Sequence, residues 1–373
     1  MRTATLSWVL VAACFGLVCV DPSRADDARP AGAPKITSAS FETRPTSRGL
    51  EKEARALASS SKGPVWAGYA VAAVDGRHRM CCWDSVSEAT VSRDCCGRCR
   101  LEKDHGFSIS SDHDGKVSLE SSGRLFVLFR AGESGVGKIR VFSEDCEIDT
   151  GRLPFVWLTG VGVDESLDWL ATFVTGRDQK GDDHEDLTEQ ALAAIAMHAG
   201  GAADRLLERF VSAGRPFSVR GHAAFWMGVA RGRAGYDVLS RLTRDDPDEE
   251  MRKKAIFALS QTDVPEAVDA IIRAARGDSR SDVRGEALFW LAQKAGEKAA
   301  GVIARAIEDD PETEVKKKAV FALSQLPDDE GVPLLIDVAR KNRNPAVRKE
   351  AVFWLGQSGD RRALAFIEEI LRS

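Results

Sequence analysis

The chain has 373 residues, 43% of them hydrophobic and 29% charged, enough for two cores of ordinary soluble-protein chemistry. Its 52 Lys and Arg against 57 Asp and Glu give a formal charge of −5, which excludes a broadly basic nucleic-acid binder. With 32 Gly and 13 Pro it is neither collagen-like nor low-complexity.

The first 25 residues read as a signal peptide. Arg2 precedes an apolar run over 6–20, and Ser23-Arg24-Ala25 places small residues at the −3 and −1 positions of a cleavage site. The run is short for a membrane span, so no transmembrane segment is expected after its removal. A lipid anchor on Cys14, after Val11-Ala12-Ala13, is the alternative and would leave apolar residues on the mature chain. The mature protein is therefore expected to be periplasmic or secreted. Residues 26–35 are polar and contain Pro, a disordered lead-in.

Residues 36–174 read as a β-rich α+β domain. The segment 48–58 places Leu50, Ala54, Leu57 and Ala58 on one side of a helix. Strands are expected through Trp66 and Tyr69, then at 107–111, 117–120, 125–131 and 138–143, forming a meander with Gly-containing turns, and 153–161 is a further strand. A short helix over 164–174 leads to an acidic linker, 175–186.

Six cysteines remain after signal removal, all in this domain: Cys81, Cys82, Cys95, Cys96, Cys99 and Cys146. An even number in an exported chain points to disulfides, although six cysteines allow 15 pairings. The alternative is a zinc site from Cys96, Cys99 and His105 with Cys81 or Cys82, or a redox dithiol at Cys96-Gly97-Arg98-Cys99. Three other motifs fail. Gly132-x4-Gly137-Lys138 runs into Ile139 and a strand, so it is a hairpin turn rather than a phosphate loop. Asp112-His113-Asp114-Gly115 lacks the further acids of a calcium loop. Asp182-Asp183-His184-Glu185-Asp186 reads as a solvated acidic start to a helix. No cofactor motif stands, and none is expected.

Residues 187–373 repeat every 32 residues without insertion. Ala191, Ala223, Ala255, Ala287, Ala319 and Ala351 mark the register. Two positions on come Ala193, Phe225, Phe257, Phe289, Phe321 and Phe353; two further come Ile195, Met227, Leu259, Leu291, Leu323 and Leu355. Each unit is read as two helices, giving an all-α solenoid of six units behind the smaller β-rich domain. Asp246-Pro247, Asp310-Pro311 and Asn344-Pro345 are read as helix caps. Trp226, Trp290 and Trp354 alternate with Ala258 and Ala322, which suggests large–small packing between layers; the alternative is an exposed Trp row that grips a ligand. Gln261, Gln293, Gln325 and Gln357 are read as loop hydrogen-bonders.

The steps Val283-Arg284, Val315-Lys316 and Val347-Arg348, each three residues before a register Ala, resemble HEAT-like repeats of the phycobilin-lyase type over about 187–373. The resemblance implies a curved superhelix that binds proteins or, less often, builds enzymes. The deoxyhypusine hydroxylase branch needs repeated His-Glu steps, and here the only one is His184-Glu185. A DNA-glycosylase branch is basic and cytoplasmic, unlike this chain.

The ligand-binding candidates lie on the second helices. Arg209, Arg241, Arg273 and Arg305 recur at the repeat interval, and Arg244, Arg276 and Arg340 form a second set broken by Glu308. Each arginine of the first set lies two positions after a core aliphatic, about 200° around the helix, and so points away from the core. Second helices of HEAT-like superhelices commonly line the concave face, so these residues are expected to form a concave basic patch. The resulting expectation is an exported, non-catalytic scaffold binding another protein with an acidic surface, and no nucleic acid. The alternative is an enzyme or metal protein centred on the cysteine cluster.

Overall fold

Period-two apolar patterning produces a mixed sheet, and period-3.6 patterning produces the helices stacked against it. The computed structural model describes residues 32–37, 39–60, 63–74, 94–95, 98–102, 117–118, 123–144, 147–176 and 182–372. The N-terminal elements are β1 (Lys35–Thr37), β2 (Phe41–Pro45), α1 (Leu50–Ser60), β3 (Val65–Ala72), β4 (Asp94–Cys95), β5 (Arg98–Arg100) and β6 (Val117–Ser118). They continue with β7 (Arg124–Gly132), β8 (Gly135–Ser143), β9 (Glu147–Asp149), β10 (Phe155–Thr159) and α2 (Val163–Thr175).

The main sheet has the order β2-β10-β3-β7-β8. The expected meander holds for β3, β7 and β8, which pair antiparallel. The further strand, β10, lies outside that meander and runs parallel to both β2 and β3. Helix α1 is the cause: it carries the chain back between β2 and β3, so those strands run the same way and leave a slot that β10 fills. At the narrow centre of the sheet sits Gly68, where a Cβ would come within 2.4 Å of Leu128 Cδ2. One sheet face buries Tyr69, Val127 and Phe129 beneath α1, α2 and the solenoid. The other buries Trp66, Phe126, Phe142 and Trp157 against Ile36, Leu101 and Ile148. These last residues belong to, or directly follow, the small sheet β1-β9-β5.

Twelve helices follow, in six antiparallel pairs: α3 (Asp182–Met197) and α4 (Gly201–Val211), α5 (Phe217–Ala230) and α6 (Gly232–Asp245), α7 (Glu249–Gln261) and α8 (Ala267–Gly277). The remaining pairs are α9 (Ser281–Ala295) and α10 (Glu297–Asp309), α11 (Thr313–Ser324) and α12 (Asp328–Lys341), α13 (Pro345–Ser358) and α14 (Arg361–Arg372). The register alanines and the aliphatics four residues on are all buried. Helix α3 begins at Asp182, inside the stretch expected to be linker.

The two halves share one apolar core, so they are not independent. Ile139 N donates to Gln190 Oε1 at 2.7 Å, and Ala73 bridges to His198. A buried polar relay crosses the same junction: Tyr69 Oη lies 2.7 Å from Ser166 Oγ, which lies 2.8 Å from His198 Nε2. His198 Nδ1 reaches Ala194 O at 2.7 Å. Arg231 ties the end of the same turn, donating to the carbonyls of Ala196, His198 and Gly200 and to Asp204.

Consecutive first helices (α3, α5, α7, α9, α11 and α13) pack tightly side by side, whereas consecutive second helices barely touch. A stack bends toward the layer whose members lie closer, so the first helices form the inside of the bend.

A chain of buried ion pairs runs along the loops between units. Arg220 pairs with Asp246 and also donates from Nε to Val211 O at 2.9 Å. Arg252 grips Asp278 with two bonds, at 2.7 and 2.9 Å, while its third nitrogen reaches back to Asp246 O. Arg284 repeats the arrangement with Asp310 and Asp278 O. Each arginine thus staples the loop before its unit to the loop after it. Bonding to Asp278 holds the Arg252 guanidinium above its ordinary pKa, and Asp310 does the same for Arg284. Burial pushes the Asp310 carboxyl up, but bonds from Arg284 and the Glu312 amide outweigh it and the net shift is down. The chain then breaks: Lys316 donates to Glu308 O, and Asn342 stands where an aspartate would accept.

This role corrects two of the three expected caps. Asp246 and Asp310 belong to the ion-pair chain; Asp248 caps α7, and the helix α11 starts at Thr313. Asn344 does cap α13, accepting from Ala346 N at 2.9 Å with Pro345 in the first turn.

Two predictions follow from this packing. Burial depresses His198 to about 4 from 6.5. The native ring therefore stays neutral where the unfolded one protonates. Its contribution to stability is complete above pH 6.5 and lost as pH falls from 6.5 to 4. Urea midpoints across that window should fall for the parent and fall less for His198→Gln; equal slopes would contradict the assignment. Separately, Asp310→Ala strands Arg284 and should cost about 3–5 kcal/mol in urea unfolding, while Arg284→Met with Asp310→Leu should recover most of it.

Candidate functional site

The seven arginines stand on the second helices, the less closely packed layer, and three of them are paired with carboxylates. Arg241 pairs with Glu208 of the preceding unit at 2.5 Å. Arg244 pairs with Asp245 at 2.8 Å, and Arg340 with Glu369 at 2.6 Å while lying 5.0 Å over the Phe366 ring. Arg305 Nε donates to Gly301 O at 3.1 Å. Arg209 borders an open groove of about 900 Å³ that Asp164 and Asp168 of α2 also line. Arg273 and Arg276 are exposed, with Arg273 beside Arg244 in a smaller cleft. The closer packing of the first helices argues for a bend with these arginines on its outside, and carboxylates are interleaved with the row.

Cys81, Cys82, Cys96, Cys146 and His105 lie outside the described residues, as do the segment 1–25 with Cys14 and the motif 112–115. The backbones of Cys95 and Cys99 are placed: Cys95 pairs with Val117 across β4–β6, and Cys99 pairs with Ile148 across β5–β9. Among the described residues no group of His, Cys, Asp and Glu is arranged to hold a metal, and no helix is long and apolar enough to cross a membrane.

The first-helix layer carries a more coherent surface. Phe225, Phe257, Phe289 and Phe321 are half-buried and Phe353 is 54% exposed, while the alanines two positions earlier and the aliphatics two positions later are buried. The rings form one continuous row. Phe225 stacks on Phe257 at 5.9 Å, and Phe257 meets Trp290 at 4.6 Å. Trp290 touches Phe289 at 4.9 Å, which stacks on Phe321 at 5.7 Å with the planes 3° apart. Phe321 meets Trp354 at 4.7 Å, and Trp354 meets Phe353 at 5.0 Å. Such contacts add about 0.5–1.5 kcal/mol each beyond burial.

The Trp–Ala alternation is thereby explained. Trp290 and Trp354 each lean back over the phenylalanine of the preceding unit, where Ala258 and Ala322 leave room. Trp226 is buried. Trp290 Nε1 donates to Glu286 at 2.7 Å and Trp354 Nε1 to Glu350 at 2.9 Å, fixing both indoles on the helix surface.

Charged and amide groups flank the row. Lys253, Lys254, Lys317, Lys318 and Lys349 lie three or four residues before Phe257, Phe321 and Phe353, one turn away on the same faces. Lys253 and Lys317 pair with Glu250 and Glu314 of their own helices, and Lys318 with Asp282. On the other side Gln261, Gln293, Gln325 and Gln357 are exposed one turn after the rings. They were expected to hold loops. Among the described residues Gln261 and Gln325 instead bond to Ser260 and Ser324 beside them. The loop after α7 is held by Lys294, whose ammonium reaches Ser260 O at 3.0 Å and Thr262 O at 2.6 Å. Desolvation there holds Lys294 below its ordinary pKa.

The HEAT-repeat family profile matches residues 203–292 and 300–373. No curated protein matches the chain. Among solved structures, human deoxyhypusine hydroxylase is similar at 19% identity and a TM-score of 0.24, covering 54% of this chain and 77% of that one. The CpcE–CpcF phycocyanin lyase of Nostoc sp. is similar at 19% identity and a TM-score of 0.30, covering 56% and 82%. Kap95p, in complex with RanGDP, is similar at 14% identity and a TM-score of 0.38, covering 57% and 32%. The repeat register, the helix pairs and the profile agree over the C-terminal part of the chain: residues 203–292 and 300–373 match the HEAT-repeat profile and fold as stacked helix pairs.

Proposed function

We propose that this protein is an exported, non-catalytic scaffold that holds an extended segment of another protein across its first-helix face. The observation that carries the reading is the half-exposed aromatic row running unbroken from Phe225 to Phe353. Aromatic side chains bury much area at low entropic cost, and solenoids use inner faces for long partners.

The spacing favours one kind of occupant. Packed helices lie about 8–10 Å apart. An extended or polyproline-type chain rises about 3.1–3.3 Å per residue. A segment crossing the helices therefore places every third residue over the next helix. The lysines beside the row favour acidic residues in the segment, and the glutamines offer donors and acceptors to its unpaired backbone. Export is supported by Arg2, the apolar run 6–20 and Ser23-Arg24-Ala25.

Titration of residues 26–373 with a Leu-Pro-Glu repeat peptide, followed by tryptophan fluorescence, tests the surface. Phe353→Ser with Lys349→Glu should weaken binding by about tenfold or more, ~1.4 kcal/mol. Arg241→Glu with Arg273→Glu and Arg305→Glu should leave it unchanged. The opposite pattern would move the site to the outer arginines.

A further inference from the structure

The solenoid contains the same cleft twice, at two sizes. Between α6 and α8 a cavity of about 160 Å³ is lined by Thr243, Ala270, Ala274 and Asp278, among others. Two units on, between α10 and α12, the counterparts Ile307, Leu334, Val338 and Asn342 line a cavity of about 460 Å³.

The difference lies at the inner end, where the chain of buried ion pairs passes. In the smaller cleft Asp278 is locked to Arg252 by two bonds. In the larger one Lys316 replaces the arginine and Asn342 replaces the aspartate, and both line the cavity. The shorter lysine turns to the Glu308 carbonyl, and the amide of Asn342 carries no charge to draw it across. Lys316 forms no ion pair among the described residues. At three earlier loops the corresponding place holds a carboxylate, on Asp246, Asp278 and Asp310. Here the cation remains without an ion-pair partner of its own: the Asp310 carboxylate attracts it but is bonded to Arg284.

The walls complete the pattern. Ile307, Leu323, Leu334 and Val338 form an apolar floor, and Arg343 adds a second cation at the end that holds Asn342. Glu308 and Asp337 also line the cavity, with Asp337 engaged by Lys341 at 2.5 Å. The volume falls within the range of small-molecule pockets, and apolar walls with a few placed polar groups are their usual make-up.

We propose that the α10–α12 cleft binds a carboxylate carried on an aliphatic body. The body lies against Ile307, Leu334 and Val338. The head stands by Lys316 and Asn342, replacing the aspartate that this unit lacks. The shared chemistry belongs to a free fatty-acid-type amphiphile or to the C-terminal carboxylate of an apolar peptide. The site is separate from the aromatic face, so either reading can fail alone.

Calorimetric titration of residues 26–373 with octanoate, and with a trileucine peptide as free acid or amide, tests the proposal. Saturable binding of octanoate or of the acid peptide is expected, and whichever binds tighter names the source. Octyltrimethylammonium and the peptide amide should bind at least tenfold more weakly. Lys316→Met keeps the volume and removes the charge, and should weaken carboxylate binding at least tenfold. Lys316→Arg with Asn342→Asp should abolish it by restoring the internal ion pair, with a melting temperature no lower than the parent's. No saturable carboxylate binding, equal binding of the ammonium, or undiminished binding in both variants would overturn the proposal.

Discussion

Stacking helix pairs into a solenoid raises one physical problem: each unit must meet the next in a fixed register, although apolar faces alone slide easily. In this protein the loop ion pairs solve it. Arg220, Arg252 and Arg284 each bind the loop on both sides of their own unit, so the loops are linked in series. Buried pairs add little net stability once desolvation is counted, but a mispaired one is costly. Their effect is therefore on geometry: a slipped helix would bury an uncompensated guanidinium or carboxylate.

That constraint shapes both surfaces. Held at their loop ends, the first helices press together, and their outward phenylalanines become one row instead of separate patches. The second helices splay, which opens clefts between them and spreads their arginines among acids from neighbouring units. At the other end of the stack, the sheet, α2 and the Tyr69–Ser166–His198 relay cover a first unit that has Ala193 where later units have phenylalanine. A terminal unit needs such a cover because its outer apolar face would otherwise meet water.

The repeat architecture was legible because a 32-residue interval without insertions records which side chains share a layer. Helix α1, the strands β3, β7, β8 and β10, and helix α2 were legible from local periodicity and turns. Three features were not. Partner order within the sheet is non-local, and nothing in β10 marks it as parallel to both neighbours. The ion-pair chain had a visible signal, arginines at 220, 252 and 284 with aspartates at 246, 278 and 310, but the Asp-Pro steps also resembled caps. The choice of inner layer depends on which helices pack closer, and a repeat sequence marks both layers equally. The phenylalanine row is hard to read as a surface from sequence, because its apolar neighbours at two positions either side are core.

Series linkage implies a mechanical boundary where the chain of pairs stops, between Lys316 and Asn342. Hydrogen exchange on residues 26–373 tests this most directly, because cooperative units open together. The account predicts that helices α5 to α10 exchange as one unit, and that α12, α13 and α14 open earlier in a separate step. Uniform protection from α5 through α13, with no step at Lys316–Asn342, would contradict it.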